Sequence, residues 1–303
     1  MVFYSRRRFL KTGLVAGAIA SAVGSMPLAA AEHASGQVLA KPSATDLVTL
    51  GHSGVKVTRL AFGTGSYSGE VQRSLGQEGF NTLVRYAYDR GIRFFETAES
   101  YGDMHRMLGI ALQGIPRDSY QLMSKVTTRE GVNPQQKFDE LRSLAKTDYF
   151  DIMLLHWQHT GDWPEESRRW ADGIDQARQR KIVVARGASV HGLPALRQVP
   201  RDEWLQVAMI RTNHKGVRMD AEDYNTGGLG NVSEVVQHIH QTRKQGVGVI
   251  GMKLIGEGVF DHVDRQAAMR FAMKNAGIDC ATVGFKSKAE IDEAINNMNM
   301  ALA

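Results

Sequence analysis

From residue 47 onward the chain alternates between two kinds of patterning. Short apolar runs at 60–63, 92–96, 120–126, 150–155, 182–187, 205–211, 248–254 and 280–284 read as strands. Apolar residues recur at helical spacing over 79–90, near 104–113, near 134–145, over 165–180, near 193–199, and over 232–245, 264–275 and 288–299. Strands that alternate with helices predict a parallel sheet. Eight such units predict an α/β fold, a (β/α)8 TIM barrel. An open doubly wound sheet would need a glycine fingerprint leading straight into the first helix. Gly63-Thr64-Gly65 supplies a G-x-G, yet no helix pattern opens there. Ahead of the first barrel strand, 47–50 and 55–57 flank Gly51 to Gly54 and predict a β-hairpin that plugs the barrel bottom.

A different pattern precedes residue 47. Ser5-Arg6-Arg7-Arg8-Phe9-Leu10-Lys11 is followed by an apolar run over 14–23, and Pro27-Leu28-Ala29-Ala30-Ala31 offers an A-x-A cleavage site. Charged, apolar and small-residue regions in this order define a signal peptide over 1–31, and the paired arginines point to the twin-arginine (Tat) route. The expected partner during export is the twin-arginine translocon, and the expected location is periplasmic or otherwise exported. The apolar run is short and rich in Gly, Ala and Ser, so no permanent membrane span is expected. Residues 32–46 read as a flexible leader, and 47–303 as the barrel domain.

Charge changes the picture little. The net charge of +5 arises locally, because Arg6, Arg7, Arg8 and Lys11 precede the first acid, Glu32. Without those four cations, 33 basic residues face 32 acidic ones. A nucleic-acid partner would need a basic face on the folded part, and none is expected. Cys280 is the single cysteine, so no intramolecular disulfide can form.

Catalytic side chains of a barrel sit at the C-terminal ends of its strands. Glu96 ends the second strand, with Tyr101 just beyond it; Lys125 ends the third and His156 the fourth. Taken singly they read as a cap acid, a packed aromatic, a solvated strand end and a structural histidine. Together on adjacent strand ends they define a candidate site. His238 and His240 lie two apart on one helix and face different ways, so no metal is assigned. The segment 213–220 and the glycine-rich 225–230 form a long loop after the sixth strand, either a lid or a surface loop.

These segments resemble the aldo-keto reductases. Leu50 to Leu60 is similar to the family's opening hairpin and first strand, and Glu96 to Gly102 resembles its Asp-Thr-Ala-x-x-Tyr-Gly. Ser124-Lys125-Val126 and Leu154-Leu155-His156 match the other two segments of its catalytic tetrad. The resemblance implies hydride transfer between NADP(H) and a small-molecule carbonyl or alcohol. Tyr101 would be the general acid, Lys125 would lower its pKa, Glu96 would hold Lys125, and His156 would orient the carbonyl. Ser189 would hold the nicotinamide carboxamide. The phosphates are expected near Lys253 and Ile255 after the seventh strand and Gly284, Lys286, Ser287 and Lys288 after the eighth. The alternative for Ser287 is a simple helix cap, with the phosphate reading favoured.

The pattern departs from the family in several places. Glu96 replaces the usual Asp, and Val190 replaces an Asn. Met209 and Met252 stand where Gln and a stacking aromatic are usual. Glu290 and Ala294 replace an Arg and an Asn of the last helix. NADP(H) is favoured through Lys253, Lys286 and Lys288, with NAD(H) as the alternative. The chain stops soon after the eighth helix, so an open pocket is expected. The competing function is a dinucleotide-binding sensor or accessory subunit with little turnover, for which Glu96, Val190 and Met209 speak.

Overall fold

A computed structural model describes residues 41–223 and 228–303. The expected signal peptide, most of the leader and part of the glycine-rich loop lie outside the described residues. Two strands form the hairpin, β1 (Leu47–Thr49) and β2 (Lys56–Thr58). The barrel strands are β3 (Leu60–Gly63), β4 (Phe94–Glu96), β5 (Gln121–Thr127), β6 (Phe150–Gln158), β7 (Val183–Val190), β8 (Val207–Arg211), β9 (Gly248–Met252) and β10 (Cys280–Gly284). They pair in parallel in the closed order β10-β3-β4-β5-β6-β7-β8-β9. The eight-stranded closed barrel and the hairpin are therefore as the patterning predicts.

Alternation along each strand sorts side chains to two cores. Ala61, Phe94, Met123, Ile152, Leu154 and Ile250 point to the barrel axis. Phe62, Phe95, Leu122, Met153 and Leu155 point outward under the helices. The helix Gly76–Asp89 shows how the outer layer forms. It buries Phe80, Leu83, Val84 and Ala87, one stripe at helical spacing. Full burial of a side chain such as Leu83 stabilises by roughly 2 kcal/mol. The helix Pro134–Leu144 starts where it does because the Asn133 side chain accepts the Gln135 and Gln136 N–H groups, with Pro134 in the first turn.

The hairpin closes the lower end. Leu50, Val55 and Val57 join the inner core. Leu50 sits so close to Gly248 that a Cβ there would lie 2.6 to 2.8 Å from Leu50 atoms. The His52 N–H donates to Gly246 O at 2.7 Å, and the Ala44 N–H reaches Asn299 Oδ1 of the last helix at 2.7 Å.

Element boundaries differ from the sequence reading in informative ways. The strands β6 and β7 run on to Gln158 and Val190, so His156 lies inside β6 rather than at its end. Lys125 likewise lies inside β5. Pairing of β6 with β7 shifts between Leu155 and Gln158, and Trp157 there takes φ 60°. Strand β9 stops at Met252, and the next residue, Lys253, adopts φ 56°, outside the extended region. The expected 165–180 helix is two, Trp163–Glu166 and Arg168–Gln179. The helix His262–Arg270 runs on into a wider π turn over Phe271–Ala276. The described part of the loop after β8 is stitched down. Gly230 and Asn231 N–H groups donate to Gly216 O and Asp220 O, and the Leu193 N–H donates to Ala221 O. Among the described residues no helix is long and apolar enough to cross a membrane.

Candidate active site

Backbone pairing carries the chain from Glu96 to Tyr101 over the barrel mouth. The Thr97 N–H donates to Met123 O and the Glu99 N–H to Lys125 O, each at 2.9 Å, extending contact with β5 beyond β4 itself. The Tyr101 N–H then turns back to Ala98 O at 3.1 Å. This places the Tyr101 ring edge-to-face with the His156 ring, centroids 5.5 Å apart at 85°. The Lys125 ammonium lies 4.9 Å from the Tyr101 ring centroid. On the other side, a Cβ on Gly65 would lie 2.6 Å from the Tyr101 hydroxyl, so only glycine leaves room for that oxygen.

All four expected tetrad residues come together. Lys125 and Glu96, both 1% exposed, are hydrogen-bonded through Nζ and Oε1. The Lys125 Nζ also donates to Thr97 O at 3.2 Å. Glu96 Oε2 accepts the Thr64 N–H at 3.3 Å, so the longer acid is seated at both oxygens. His156 meets Ser100 Oγ through Nδ1 at 3.2 Å, which leaves Nε2 available for a substrate oxygen.

Burial dominates the electrostatics here. It pushes the Lys125 ammonium well down, and the charge of Lys253 adds to this. The charge of Lys125 therefore depends on the Glu96 carboxylate beside it. Burial and the charges of Lys125 and Lys253 hold His156 well below the usual histidine range, so the ring is neutral. The expected lowering of Tyr101 is not what the site shows. Burial, then the nearby Glu257 carboxylate, pushes its hydroxyl up. Tyr101 therefore holds its proton firmly at neutral pH.

One cavity of about 1010 Å³ opens over these groups. Its size suits a cofactor and substrate together. Glu96, Tyr101 and His156 line one side of it, and Met209 and Met252 line it from β8 and β9. Lys253, Ile255, Gly284 and Lys286 also line it. Five of the eight described non-glycine residues with positive φ are on its wall: Tyr67, Ser68, Trp157, Lys253 and Glu257. Strain concentrated this way marks a site whose surroundings hold it in place.

Other expected contacts lie elsewhere. Ser189 is buried and does not line the cavity; its hydroxyl accepts the Trp157 N–H at 3.2 Å. Ser287 caps the last helix by accepting the Glu290 N–H at 3.3 Å. Lys288 turns over the Tyr86 ring, with Nζ 5.0 Å from the centroid. Lys253 is not with the outer cations. It pairs with Glu257 and acts electrostatically on Lys125 and His156.

The cavity also gathers residues the sequence reading passed over. Arg265 lines it and holds Glu293 in a two-pronged pair, Nε–Oε1 2.7 Å and Nη2–Oε2 2.9 Å. Lys286 faces Glu290, Nζ to Oε1 3.8 Å. His191 and Arg211 line the wall formed after β7 and at the end of β8. Arg211 carried a readable signal, since it is a charged residue ending an otherwise apolar strand. Arg265 carried none, because its position depends on how two helices pack.

The chain is thus a closed parallel barrel with a Tyr, Lys, His and acid cluster under its upper mouth. The chain belongs to the aldo/keto reductase family, whose profile matches residues 59–266. It is similar to Probable aldo-keto reductase 1 of Glycine max, 32% identical over 132 residues, covering 38% of this chain and 36% of that protein. L-galactose dehydrogenase of Arabidopsis thaliana is 31% identical over 121 residues, covering 37% of this chain and 38% of that protein. The chain thus matches little more than a third of the length of these curated relatives. Among solved structures, the aldo-keto reductase AKR11C1 from Bacillus halodurans in its holo form superposes with a TM-score of 0.65. The identity there is 16%, with 85% of this chain and 95% of that one covered, which is a likeness of fold.

Proposed function

We propose that this chain is a carbonyl reductase or alcohol dehydrogenase that uses NADP(H). The observation that carries the proposal is that Tyr101, neutral His156 and Glu96 line one large cavity, with Lys125 bonded to Glu96 and set against the Tyr101 ring. A nicotinamide dinucleotide fits that cavity in size and in donor set. The Thr282 hydroxyl and His191 Nδ1 are buried without partners on its wall, and Lys286 and Arg265 provide cations. When bound, the reduced cofactor supplies the hydride. His156 Nε2 donates a hydrogen bond to the carbonyl oxygen and fixes its position. Tyr101 Oη delivers the proton, since a developing alkoxide is more basic than a phenolate even when burial raises the phenol. Lys125 sits behind the ring and offsets the negative charge left on Tyr101, while Glu96 keeps Lys125 in place. Gly65 keeps the Tyr101 hydroxyl where the carbonyl can reach it.

The preference for NADP(H) over NAD(H) rests on Lys286 and Arg265, which would exchange Glu290 and Glu293 for the extra phosphate. The test is a panel of aldehydes and ketones with NADPH and NADH, followed by nicotinamide absorbance and by fluorescence titration of each dinucleotide. Dinucleotide binding without oxidation by any carbonyl would support the sensor reading instead. We further propose export through the twin-arginine translocon, on the strength of Arg6, Arg7 and Arg8 ahead of Phe9-Leu10-Lys11. Replacing those arginines by lysine should leave the protein in the cytoplasm, and persistent export would defeat this part of the proposal.

A further inference from the structure

Arg211 is 7% exposed and ends β8, which lies directly across the ring from β4 and the tetrad acid. It points the same way as Met209 two residues earlier, whose side chain belongs to the inner core, and both line the cavity. A guanidinium has five N–H donors. Among the described residues, those of Arg211 make one long hydrogen bond, Nη1 to Met219 O at 3.5 Å. Its Nε is buried without a hydrogen-bond partner, although Asp220 Oδ1 stands 3.5 Å away. Buried arginines are normally held by well-made, often two-pronged contacts.

Asp220 explains how the cation is kept without being consumed. It is fully buried, and its Oδ1 is occupied by the Gly192 N–H at 2.6 Å. Burial pushes the Asp220 carboxyl up to about 6, against the pull of Arg211. It therefore balances the charge of Arg211 from 3.5 Å without a hydrogen bond to Nε, and Arg211 lines the cavity. His191, just after β7, lines the same wall with a buried, unpartnered Nδ1. The charge of Arg211 acts on His191, and both line the cavity together with the carbonyl-orienting His156.

We infer that Arg211, backed by Asp220 and flanked by His191, is a specificity-determining residue that binds a carboxylate on the substrate. The favoured substrates are then oxo acids, whose carbonyl meets Tyr101 and His156 while the carboxylate meets Arg211. A planar carboxylate matches the planar donor fork, which a ketone or a simple aldehyde cannot do. The inference rests on the reductase reading for the reaction, but the binding site stands independently of it.

The test compares a series of oxo acids of increasing chain length with their methyl esters. Wild-type protein, loaded with dinucleotide, should favour the best acid over its ester by about 10- to 100-fold in kcat/KM, the range of a charged hydrogen-bonded contact. Arg211→Met should remove that preference, bringing the kcat/KM of the acid down to that of its ester. The double variant Arg211→Met/Asp220→Asn removes both buried charges and guards against a single variant that fails to fold. Calorimetry with a saturated carboxylate of matching length provides a readout without turnover; it should show binding to wild type and none to either variant. Equal handling of acid and ester by wild type would overturn the inference. So would a loss of dinucleotide affinity in Arg211→Met with acid and ester rates falling together, which would assign Arg211 to the cofactor. Arg211-dependent carboxylate binding with no reduction of any carbonyl would retain the subsite and defeat only the reductase reading.

Discussion

The two halves of the barrel mouth are built on different principles. From β4 to β6 the functional groups hold one another: Lys125 bonds Glu96, Tyr101 packs on His156, and Ser100 fixes the imidazole. From β7 to β10 the charged groups are held by local acids, as in Lys253–Glu257, Lys286–Glu290 and Arg265–Glu293. Others there, His191 Nδ1, Arg211 Nε and the Thr282 hydroxyl, make no hydrogen bond among the described residues. Contacts that interlock hold reacting groups in place, which proton transfer requires. Pairs that can be exchanged suit a region that must take up and release anions. The chemistry of one half should therefore be separable from the binding of the other.

The largest effect should come from Tyr101→Phe, which removes one hydroxyl and keeps the packing on His156. Carbonyl reduction should fall by about 10²-fold or more, with dinucleotide affinity unchanged in a fluorescence titration. If both fall together, the two halves are not independent. Acid should also strike the interlocked half. Burial pushes His105 down to about 4, and His156 well below its usual range. His191, just after the neighbouring strand β7, is depressed in the same way. Each folds neutral, whereas the unfolded chain takes up its protons near 6.5. The stability they support is intact above that pH and is lost as pH falls through and below it. For His105 the loss continues to about pH 4, at roughly 1.4 kcal/mol per pH unit. Denaturant midpoints at stepwise lower pH would show this, and His105→Gln should take one proton out of the slope.

Gly65→Ala should approach the Tyr101→Phe loss without removing any chemical group. Its Cβ would displace the hydroxyl, and a misplacement of that kind can cost up to about 10²-fold. A crystal structure of the variant with an unmoved Tyr101 ring and full activity would refute this. The smallest effects belong to the exchangeable half. Lys286→Ala and Arg265→Ala should each weaken NADP(H) by about five-fold more than NAD(H), the scale of one exposed charge pair. Lys288→Ala should change neither, since Lys288 lies over Tyr86. Dinucleotide titrations of the three variants decide the point.

The same contrast explains what could be read without a structure. The strands were visible because barrel interiors demand near-continuous apolar runs. Glu96, Lys125 and His156 stood out because charged or polar residues interrupt those runs. Arg211 obeys that rule equally. The direction of Ser189 and Lys288 was not readable. A serine after a strand can face the cavity or support a neighbouring turn, and here it holds the strained backbone of Trp157. The raised Tyr101 hydroxyl was also hidden, because it follows from burial and from Glu257, which lies 156 positions away in the sequence. Export signals are read from composition alone and have no counterpart among the described residues.

The ring closes by pairing β10 with β3, Ala281 to Leu60 through Gly284 to Gly63. A ribosome that has made β3 must therefore go on for some two hundred residues before that strand meets its second neighbour. Until then the nascent sheet has two open edges, at β3 and at the newest strand, which are templates for mispairing. Joining ends so far apart also costs loop entropy before any contact rewards it. The finished barrel is thus a late event in the life of the chain, and chaperones that shield strand edges would act before it. Any transport that accepts only folded passengers must wait for Gly284.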